Sequence, residues 1–331
     1  MKHSLRFFAA ALLGVLSPPA SGTWAGRDSP QVSPVAAAPV LSTLRRDDAR
    51  VGAVAYRLAL AGRGLCREAY PLTGLLFHHL AEYEVADRPL MIFRYGLDRG
   101  PGVLAVLGGT PAAAAGLVAG DVLLSVNGRP FPSPARIAAE PKRKKWRPML
   151  EGSEALLEAA LRAGPASLQV LREGRTLPLT LGSEPGCVGR ARLARSTQMN
   201  AFSLRGYVVM TTAMLGYVGS DDELAVVLGH ELSHSILGHD GMRDEDGILG
   251  SIGIKPSAMW KREEVADRLG LRLMAAASFD LDAAIPFWDR YLGQYDWFPQ
   301  IFRSHPSRGA RERIAREEIA AIRATSRPGN R

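Results

Sequence analysis

Long hydrophobic runs and cysteines are both scarce in this sequence of 331 residues. The apolar run at residues 7–16 is too short for a membrane-crossing helix, and no other stretch reaches transmembrane length. This absence sets the chain apart from proteins embedded in the bilayer by helices. No cysteine comes directly after the run, so a cysteine-linked lipid anchor is not expected. Only Cys66 and Cys187 are present, which allows one internal disulfide at most.

The N-terminus has the composition of a cleaved targeting segment. Lys2 and Arg6 precede the apolar run, and small residues follow it through Gly26. The pattern predicts a signal peptide at residues 1–25 and export of the mature chain. Residues 26–41, rich in proline, serine and alanine, are predicted to form a flexible linker. The net charge of +8 favours acidic surfaces but selects no substrate.

The segment His230-Glu231-Leu232-Ser233-His234 lies inside an apolar stretch that is typical of a helix. Ser220 and Glu223 form a predicted capping box at its start, and Gly238 marks its predicted end. Histidines four apart share one helix face and can bind one zinc ion, while Glu231 can deprotonate a bound water. The structural alternative is a core helix with two satisfied histidines. Burial of these groups is costly unless they are paired or bound to metal, which favours the metal site.

A zinc site of this kind needs a third protein ligand, and the sequence offers two candidates. Glu263 and Asp267 lie four apart on a second predicted helix, so Glu263 could bind zinc while Asp267 orients a ligand histidine. His239 is the other candidate, five residues after His234 and off its helical face. The spacing favours Glu263. The alternative interpretation is that Glu263, Glu264 and Asp267 belong to a solvated helix face.

Five separated motifs occur here in the order found in one group of zinc metallopeptidases. They are His230–His234, Glu263–Gly270, Asn200–Phe202 before a predicted strand at 207–211, Asp222–Leu228, and Ser304–Ser307. The stretch from about residue 190 to 320 resembles the HtpX, Oma-type and CAAX-prenyl-protease family, particularly its soluble periplasmic BepA-like branch. The resemblance implies an α+β fold with a mainly helical zincin-type domain and a small sheet at residues 190–331. It also implies one Zn2+ per chain and a periplasmic location, soluble or peripherally membrane-associated.

The same resemblance implies how the central residues would act. His230, His234 and Glu263 would hold zinc, which polarises the scissile carbonyl and lowers the pKa of a bound water. Glu231 would act as general base on that water and then carry the proton to the leaving amine. Asp267 would accept a hydrogen bond from a ligand histidine as a second-layer partner.

Three further features of the resemblance concern the surroundings of the site. Asn200, Ala201 and Phe202 would offer a strand edge to an extended substrate. His305 would stabilise the oxyanion or occupy the open zinc position; the alternative is a structural histidine in a proline turn. The family usually has Arg-Ile soon after His-Pro, and here Arg311 and Arg313 compete for that position.

Residues 88–183 resemble a second family, the PDZ domain of bacterial proteases, a small β-barrel or sandwich with two helices. The supporting segments are Thr110–Leu117, Gly120–Gly128 with its Asn-Gly turn, a predicted helix at 154–162, and a predicted strand pair at 167–172 and 177–181. PDZ domains bind chain ends along a sheet edge, so a C-terminal peptide is a candidate ligand. The corresponding loop would lie at Pro89–Phe93, where the usual glycine is missing. A packing surface is the alternative role.

A basic insertion at residues 134–152 interrupts the predicted PDZ domain and contains Lys142–Arg147. Such runs are most often solvated loops. Peripheral contact with an anionic membrane surface is the alternative, and nucleic acid is not an expected partner of an exported protein.

The two cysteines flank the predicted PDZ domain. Cys66 lies in an N-terminal segment, residues 42–87, that is predicted to be helical and to pack on the catalytic domain. In an oxidising compartment a Cys66–Cys187 disulfide is favoured over two free thiols. Closing a loop of this size would stabilise the fold by about 4–5 kcal/mol in the chain-entropy model.

Two functions of different classes follow from these patterns. The first is an exported zinc metalloendopeptidase that cleaves unfolded or misassembled envelope proteins, with the PDZ domain recruiting or gating the substrate. The second is a non-catalytic chaperone or adaptor that retains the fold and binds extended polypeptides. The intact His230–His234 motif and Glu263 favour the enzyme. A metzincin-like site using His239 is a third possibility.

Overall fold

The computed structural model describes residues 34–132, 146–204, 206–239, 256–294 and 307–325. These residues form a long N-terminal helix, a middle domain built on a six-stranded sheet, and a C-terminal domain of helices around a three-stranded sheet. The architecture confirms the predicted α+β class. Within the described residues, no helix is both long and apolar enough to cross a membrane.

Helix α1 (Pro34–Ala61) joins the two domains. It contributes buried apolar residues to the C-terminal core, namely Val51, Val54, Ala55, Leu58 and Ala59. On another side, Gly52 leaves room for the Leu76 side chain of the middle domain, since a Cβ at position 52 would lie 2.5 Å from Leu76. Residues 34–41 are helical, so the linker predicted over 26–41 extends too far. The alanines at 36–38 favour helix, and Pro34 suits its first turn.

The middle domain is a sheet flanked by short helices. Its strands are β1 (Tyr70–Leu72), β2 (Leu75–His78), β3 (Gly102–Val106), β4 (Val122–Val126), β5 (Arg129–Pro130), β6 (Ala166–Arg172), β7 (Arg175–Leu181) and β8 (Glu184–Gly186). The six-stranded sheet has the antiparallel order β2-β3-β4-β6-β7, with β5 on β4, while β1 pairs with β8. The helices are α2 (Arg88–Tyr95), α3 (Pro111–Ala114) and α4 (Trp146–Arg162).

The start of this domain differs from the prediction. The chain leaves α1 at Ala61, and residues 70–78 form strands where a continuous helical segment to residue 87 was predicted. A short apolar run is compatible with either state, and Pro71 and Gly74 decide against a helix. Because β2 belongs to the sheet and Phe77 to its core, the domain begins before residue 88.

The prediction of the loop that binds a peptide end in the PDZ domain is also wrong. Pro89–Phe93 lies within helix α2. Backbone N–H groups inside a helix bond to carbonyls of the same helix, so they are not free to bind a peptide end as those of a loop would be. The turn that precedes the edge strand is instead at Thr73–Gly74. Gly74 has φ 71°, and a Cβ there would lie 2.3 Å from the Thr110 side chain, so only glycine fits.

The C-terminal domain surrounds a sheet of β9 (Arg190–Ala194), β10 (Ala201–Leu204) and β11 (Tyr207–Thr211) in the order β10-β11-β9. Its helices are α5 (Thr212–Tyr217), α6 (Asp221–Ile236), α7 (Pro256–Ala276), α8 (Ala284–Gly293) and α9 (Arg308–Thr325). Helices α6 and α7 cross at Gly229 and Gly270, where a Cβ on Gly270 would lie 3.0 Å from the backbone nitrogen of His230. The absence of side chains at this crossing brings the two helix backbones together.

Candidate metal centre

Helix α6 begins and ends where the sequence predicts. Ser220 is the N-cap, and its Oγ accepts a 3.1 Å hydrogen bond from the Glu223 N–H. The Glu223 side chain accepts from the Gly219 N–H at 2.7 Å, so two donors at the helix start are satisfied. The helix ends at Ile236, and Gly238 follows with φ 69°.

Three side-chain donor groups from α6 and α7 converge next to the point where the two helices cross, at Gly229 and Gly270. His230 Nε2 and His234 Nε2 lie 3.2 Å apart, and each lies 3.4 Å from an oxygen of Glu263. Ligands at tetrahedral positions about 2.0–2.1 Å from zinc lie about 3.3 Å from one another. The spacing and chemistry of His230, His234 and Glu263 therefore fit a zinc ion, with the fourth position open to water or substrate.

Glu231 lies beside this cluster on the same helix. Its side chain is buried, as are those of His230 and Glu263. Its burial next to His230 in the chain is compatible with the predicted role of Glu231 as general base.

A second layer of charged groups surrounds the cluster. Asp267 Oδ1 lies 2.8 Å from His230 Nδ1, and Asp267 Oδ2 lies 3.0 Å from Arg311 Nε. Arg311 Nη2 is 3.4 Å from Glu263 Oε2, and its guanidinium carbon lies 3.9 Å above the Trp288 ring. Arg311 thus pairs with both Glu263 and Asp267 while it is itself buried.

The electrostatics of the cluster favour a cation. Burial and Arg311 both act to lower the pKa of His230, but Asp267 and Glu263 outweigh them and raise that pKa to about 10. The surrounding carboxylates therefore stabilise positive charge at His230. Metal binding requires a neutral imidazole, so a divalent cation would replace this proton on the His230 ring, and the same carboxylates would stabilise its charge.

The other predicted ligand lies outside the convergence. His239 Nδ1 is 2.9 Å from His234 Nδ1, on the ring nitrogen that faces away from Glu263. His239 can thus orient the His234 ring, in the way that Asp267 orients His230. His305, with its neighbours Ser304 and Pro306, lies outside the described residues.

The two arginines that compete for one position in the sequence have different surroundings. Arg311 is buried against Glu263 and Asp267, whereas the Arg313 side chain is 59% exposed and pairs with Glu317 at 3.0 Å. Sequence spacing could not choose between them, since both lie on α9 within one turn. Trp288, whose ring packs 5.8 Å from the His230 ring, carried no sequence signal at all.

The predicted substrate strand is at the edge of its sheet. Ala201 and Phe202 belong to β10, which has β11 on one side and no other described strand on the opposite side. Asn200 precedes the strand, and its carbonyl accepts a hydrogen bond from the Thr211 N–H at 3.0 Å. Helix α6 packs against β10, so the open edge lies close to the helix that carries the histidines.

Cys66 and Cys187 are neighbours and carry free thiols in this structure. Cys187 Sγ donates to the Gly62 carbonyl at 3.0 Å, and Cys66 Sγ donates to the Arg63 carbonyl at 3.3 Å. Burial and the adjacent Cys66 thiol raise the pKa of Cys187. The positions suit the predicted disulfide, which stays a prediction.

Two histidines and a carboxylate on crossed helices, with a buried glutamate after the first histidine, define a metallopeptidase-type centre. The model of peptidase family M48 matches residues 188–254 and 254–319, and a PDZ-domain model matches residues 102–139. The chain therefore carries a metallopeptidase domain of the M48 type and a PDZ domain.

Several curated proteins are similar to this part of the chain. The beta-barrel assembly-enhancing protease of Escherichia coli (strain K12) is 27% identical over 167 residues, which cover 40% of this chain and 34% of that protein. The mitochondrial metalloendopeptidase OMA1 of Bos taurus is 28% identical over 155 residues, 35% of this chain and 29% of that protein. The chain thus spans about a third of the length of the curated relatives it matches.

Proposed function

We propose that this protein is an exported zinc-dependent endopeptidase that hydrolyses peptide bonds of unfolded or misassembled envelope proteins. The observation that carries the proposal is the convergence of His230, His234 and Glu263 at the spacing that zinc requires. The match of residues 188–319 to the model of peptidase family M48 supports the reaction class. The name of the Escherichia coli relative, which refers to assembly of β-barrel proteins, supports an envelope substrate.

The chemistry is divided among a few side chains. When bound by His230, His234 and Glu263, zinc would polarise the scissile carbonyl and acidify a water molecule. Glu231 would act as the general base on the attacking water and would deliver the proton to the leaving nitrogen. Asp267 holds the His230 ring in one orientation by its contact with Nδ1.

Substrate binding is proposed to use the open edge of β10. An extended chain can add to Ala201–Leu204 by backbone hydrogen bonds, which requires an unfolded or flexible segment but little sequence specificity. His305 remains a candidate for stabilising the oxyanion. These features favour an endopeptidase over an enzyme that recognises one folded partner.

The PDZ domain is proposed to recruit or gate substrates through a chain end. The open edge of β2 and the turn at Gly74 support this role in place of the Pro89–Phe93 segment. A periplasmic location rests on the predicted signal peptide and on the resemblance of the sequence motifs to the periplasmic branch of the family. Contact of the basic insertion with anionic lipid stays a prediction, because Lys142–Lys145 lie outside the described residues.

The decisive experiment compares cleavage of an unfolded protein, such as reduced casein, by wild type and by Glu231→Gln, with zinc content measured in both. We expect Glu231→Gln to keep its zinc and to lose about 100-fold or more of its activity, since general-base catalysis contributes at least this much. Glu264→Gln is the matched control, because Glu264 lies beside Glu263 but pairs with Arg268 at 2.9 Å.

Equal cleavage by Glu231→Gln and wild type would reject the mechanism. If neither protein cleaves and both suppress aggregation of the unfolded substrate, the non-catalytic chaperone or adaptor replaces the enzyme as the conclusion.

A further inference from the structure

A buried cluster of charges joins the PDZ domain to the peptidase sheet. Glu154 of α4 is 7% exposed and accepts hydrogen bonds from Arg192 and Tyr207, while Arg190 Nη1 lies 3.4 Å from it. Arg190 also approaches Glu158 at 3.4 Å. We call Glu154, Arg190, Arg192 and Tyr207 the interdomain cluster.

The members of this cluster on the peptidase side share one face of the small sheet. Arg190 lies opposite Tyr207 in the pairing of β9 with β11, and Arg192 lies two residues further along β9. Tyr207 in turn lies opposite Leu204 of β10, the proposed substrate strand. Helix α4 is therefore connected through three side chains to the sheet that would bind substrate.

Arg192 also reaches the edge strand of the PDZ domain. Its Nη1 donates to the Phe77 carbonyl of β2 at 2.9 Å. Among the described strands, β2 has a neighbour only on its β3 side. An extended peptide that added to the open side would need main-chain groups such as the Phe77 carbonyl. Arg192 occupies a hydrogen-bonding position that such a peptide requires.

Arg192 lines a cavity of about 500 Å³ together with Phe77, Leu150 and Glu151, whereas a second space between β2 and α4 is narrow. It is a cavity of about 90 Å³ with the leucines Leu75, Leu157 and Leu161 in its lining, and the peptidase segment Gly189–Arg192 forms another wall. Cavities that enclose a ligand typically measure about 300–1,000 Å³. A peptide of several residues cannot enter this narrower space while the arginines remain in place, and in the larger cavity Arg192 still occupies the Phe77 carbonyl.

We propose that Arg190 and Arg192 are internal competitors for the peptide groove of the PDZ domain, so that peptide binding and docking of α4 on the peptidase sheet exclude one another. The inference deepens the proposed function, since it rests on the PDZ domain acting as a recruiting or gating module. Peptide binding would separate Tyr207 from Glu154 and would thereby uncover the face of the sheet of β9, β10 and β11 on which Tyr207 lies.

The charges on α4 identify the kind of peptide. Glu151, Glu154 and Glu158 lie on one helix face by their spacing of three and four residues. Once the arginines leave, Glu154 needs another cation, because an unpaired buried carboxylate is costly. Glu151 Oε1 is buried and has no hydrogen-bonding partner among the described residues. The fitting ligand is an extended chain end with an apolar last residue and a basic residue shortly before it.

The test measures binding of fluorescein-labelled peptides to the full-length zinc-loaded protein by anisotropy. One peptide carries lysines before a C-terminal leucine, and its partner carries glutamates in their place. Arg192→Gln is expected to bind the lysine peptide about tenfold more tightly than wild type, as for a groove that is open about a tenth of the time. Arg175→Gln, at an exposed position of β7, is the matched control and should bind like wild type.

Two further variants keep the result interpretable. Arg192→Lys retains the charge, but its ammonium group cannot contact Glu154 and the Phe77 carbonyl at the same time as a guanidinium does, so it should also bind the peptide more tightly than wild type. It replaces Arg192→Gln in the test if that variant is poorly folded. Adding Glu154→Gln to Arg192→Gln should remove the preference for lysine over glutamate.

Unchanged or absent peptide binding in both folded Arg192 variants would overturn the proposal, as would a preference for the glutamate peptide. Casein cleavage is measured on the same samples. Cleavage that persists without any gain in peptide binding rejects the competitor role alone, whereas loss of the Glu231 dependence rejects the proposed function.

Discussion

His230 and Asp267 are joined by a 2.8 Å contact between Nδ1 and Oδ1 that links α6 to α7. The contact leaves His230 Nε2 as the nitrogen that faces His234 and Glu263. It therefore determines which tautomer of His230 is present and which way its ring points. The same carboxylate holds Arg311 on its other oxygen.

Asp267→Asn is expected to weaken zinc binding by about tenfold to 100-fold, the usual effect of removing a partner of a metal-bound histidine. The amide keeps the shape of the side chain but loses the charge that supports the His230 ring. Zinc affinity is measured by competition with a chromogenic chelator. Asp289→Asn, at an exposed position, is the control, and equal affinities of the two variants would contradict the role of Asp267.

Glu263→Ala and His239→Ala distinguish the two candidates for the third ligand. We expect Glu263→Ala to lose its zinc on dialysis, because only two donors remain in the cluster. His239→Ala should keep its zinc with reduced affinity, since His239 contacts the outer nitrogen of His234. Metal content by mass spectrometry is the measurement. Zinc retained by Glu263→Ala and lost by His239→Ala would favour the metzincin-like alternative.

Arg311→Ala is expected to destabilise the metal-free protein by about 3–5 kcal/mol, as for removal of one partner from a buried ion pair. Arg311 is 2% exposed, and its loss leaves Glu263 and Asp267 buried together without a cation. Arg313→Ala, two residues away and exposed, should change the free energy of unfolding by less than about 0.5 kcal/mol. Urea unfolding of both variants checks the difference, and similar losses in the two would refute it.

Asp48 predicts a pH dependence of stability. Burial is the main cause that raises the pKa of its carboxyl from 3.8 to about 7, although Arg192 acts in the opposite direction. The folded state therefore holds a proton that the unfolded state releases. The stability associated with Asp48 is fully present below pH 3.8 and is lost as the pH rises through 7.

Asp48→Asn should consequently be more stable than wild type by a margin that grows by about 2–3 kcal/mol between about pH 5 and about pH 8. Chemical unfolding at both pH values gives the margin. Asp47→Asn, on the same helix, controls for the change from acid to amide. A margin that does not vary with pH would show that the Asp48 carboxyl is not shifted.

The predictions from sequence succeeded where the signal is local. Helix α6 has a cap, a first turn and a stop that depend on neighbouring residues only, and its limits are as predicted. The Asn127–Gly128 turn is equally local, and both residues have positive φ. The family motifs and the PDZ pattern also predicted the metallopeptidase family and the PDZ domain whose models match the chain.

The predictions failed where distant residues decide. Residues 70–78 are strands because β3 and β8 are available as neighbours, which their own apolar pattern does not reveal. Arg311 and Arg313 are equivalent in spacing, and only the packing of α9 against α7 distinguishes them. The interdomain cluster joins Glu154 to residues 36 to 53 positions away, so no local pattern indicates it.

The cysteine pair supplies the last prediction, since the two thiols are in contact and the oxidant of an oxidising compartment can take two electrons from them to form a disulfide. Protein purified from the oxidising compartment and denatured without reductant should show no reactive thiol, and reduction should release both Cys66 and Cys187. The bond would tie the segment after α1 to the residues that lead into β9, and would stabilise the fold by about 4–5 kcal/mol.

Because burial and the neighbouring thiol raise the pKa of Cys187, its thiolate is scarce at neutral pH and Cys66 is the better nucleophile for forming the bond. Cys66→Ser should match the reduced wild type in its free energy of unfolding, and should be insensitive to reductant. Two reactive thiols in the unreduced wild type would show that the pair stays open.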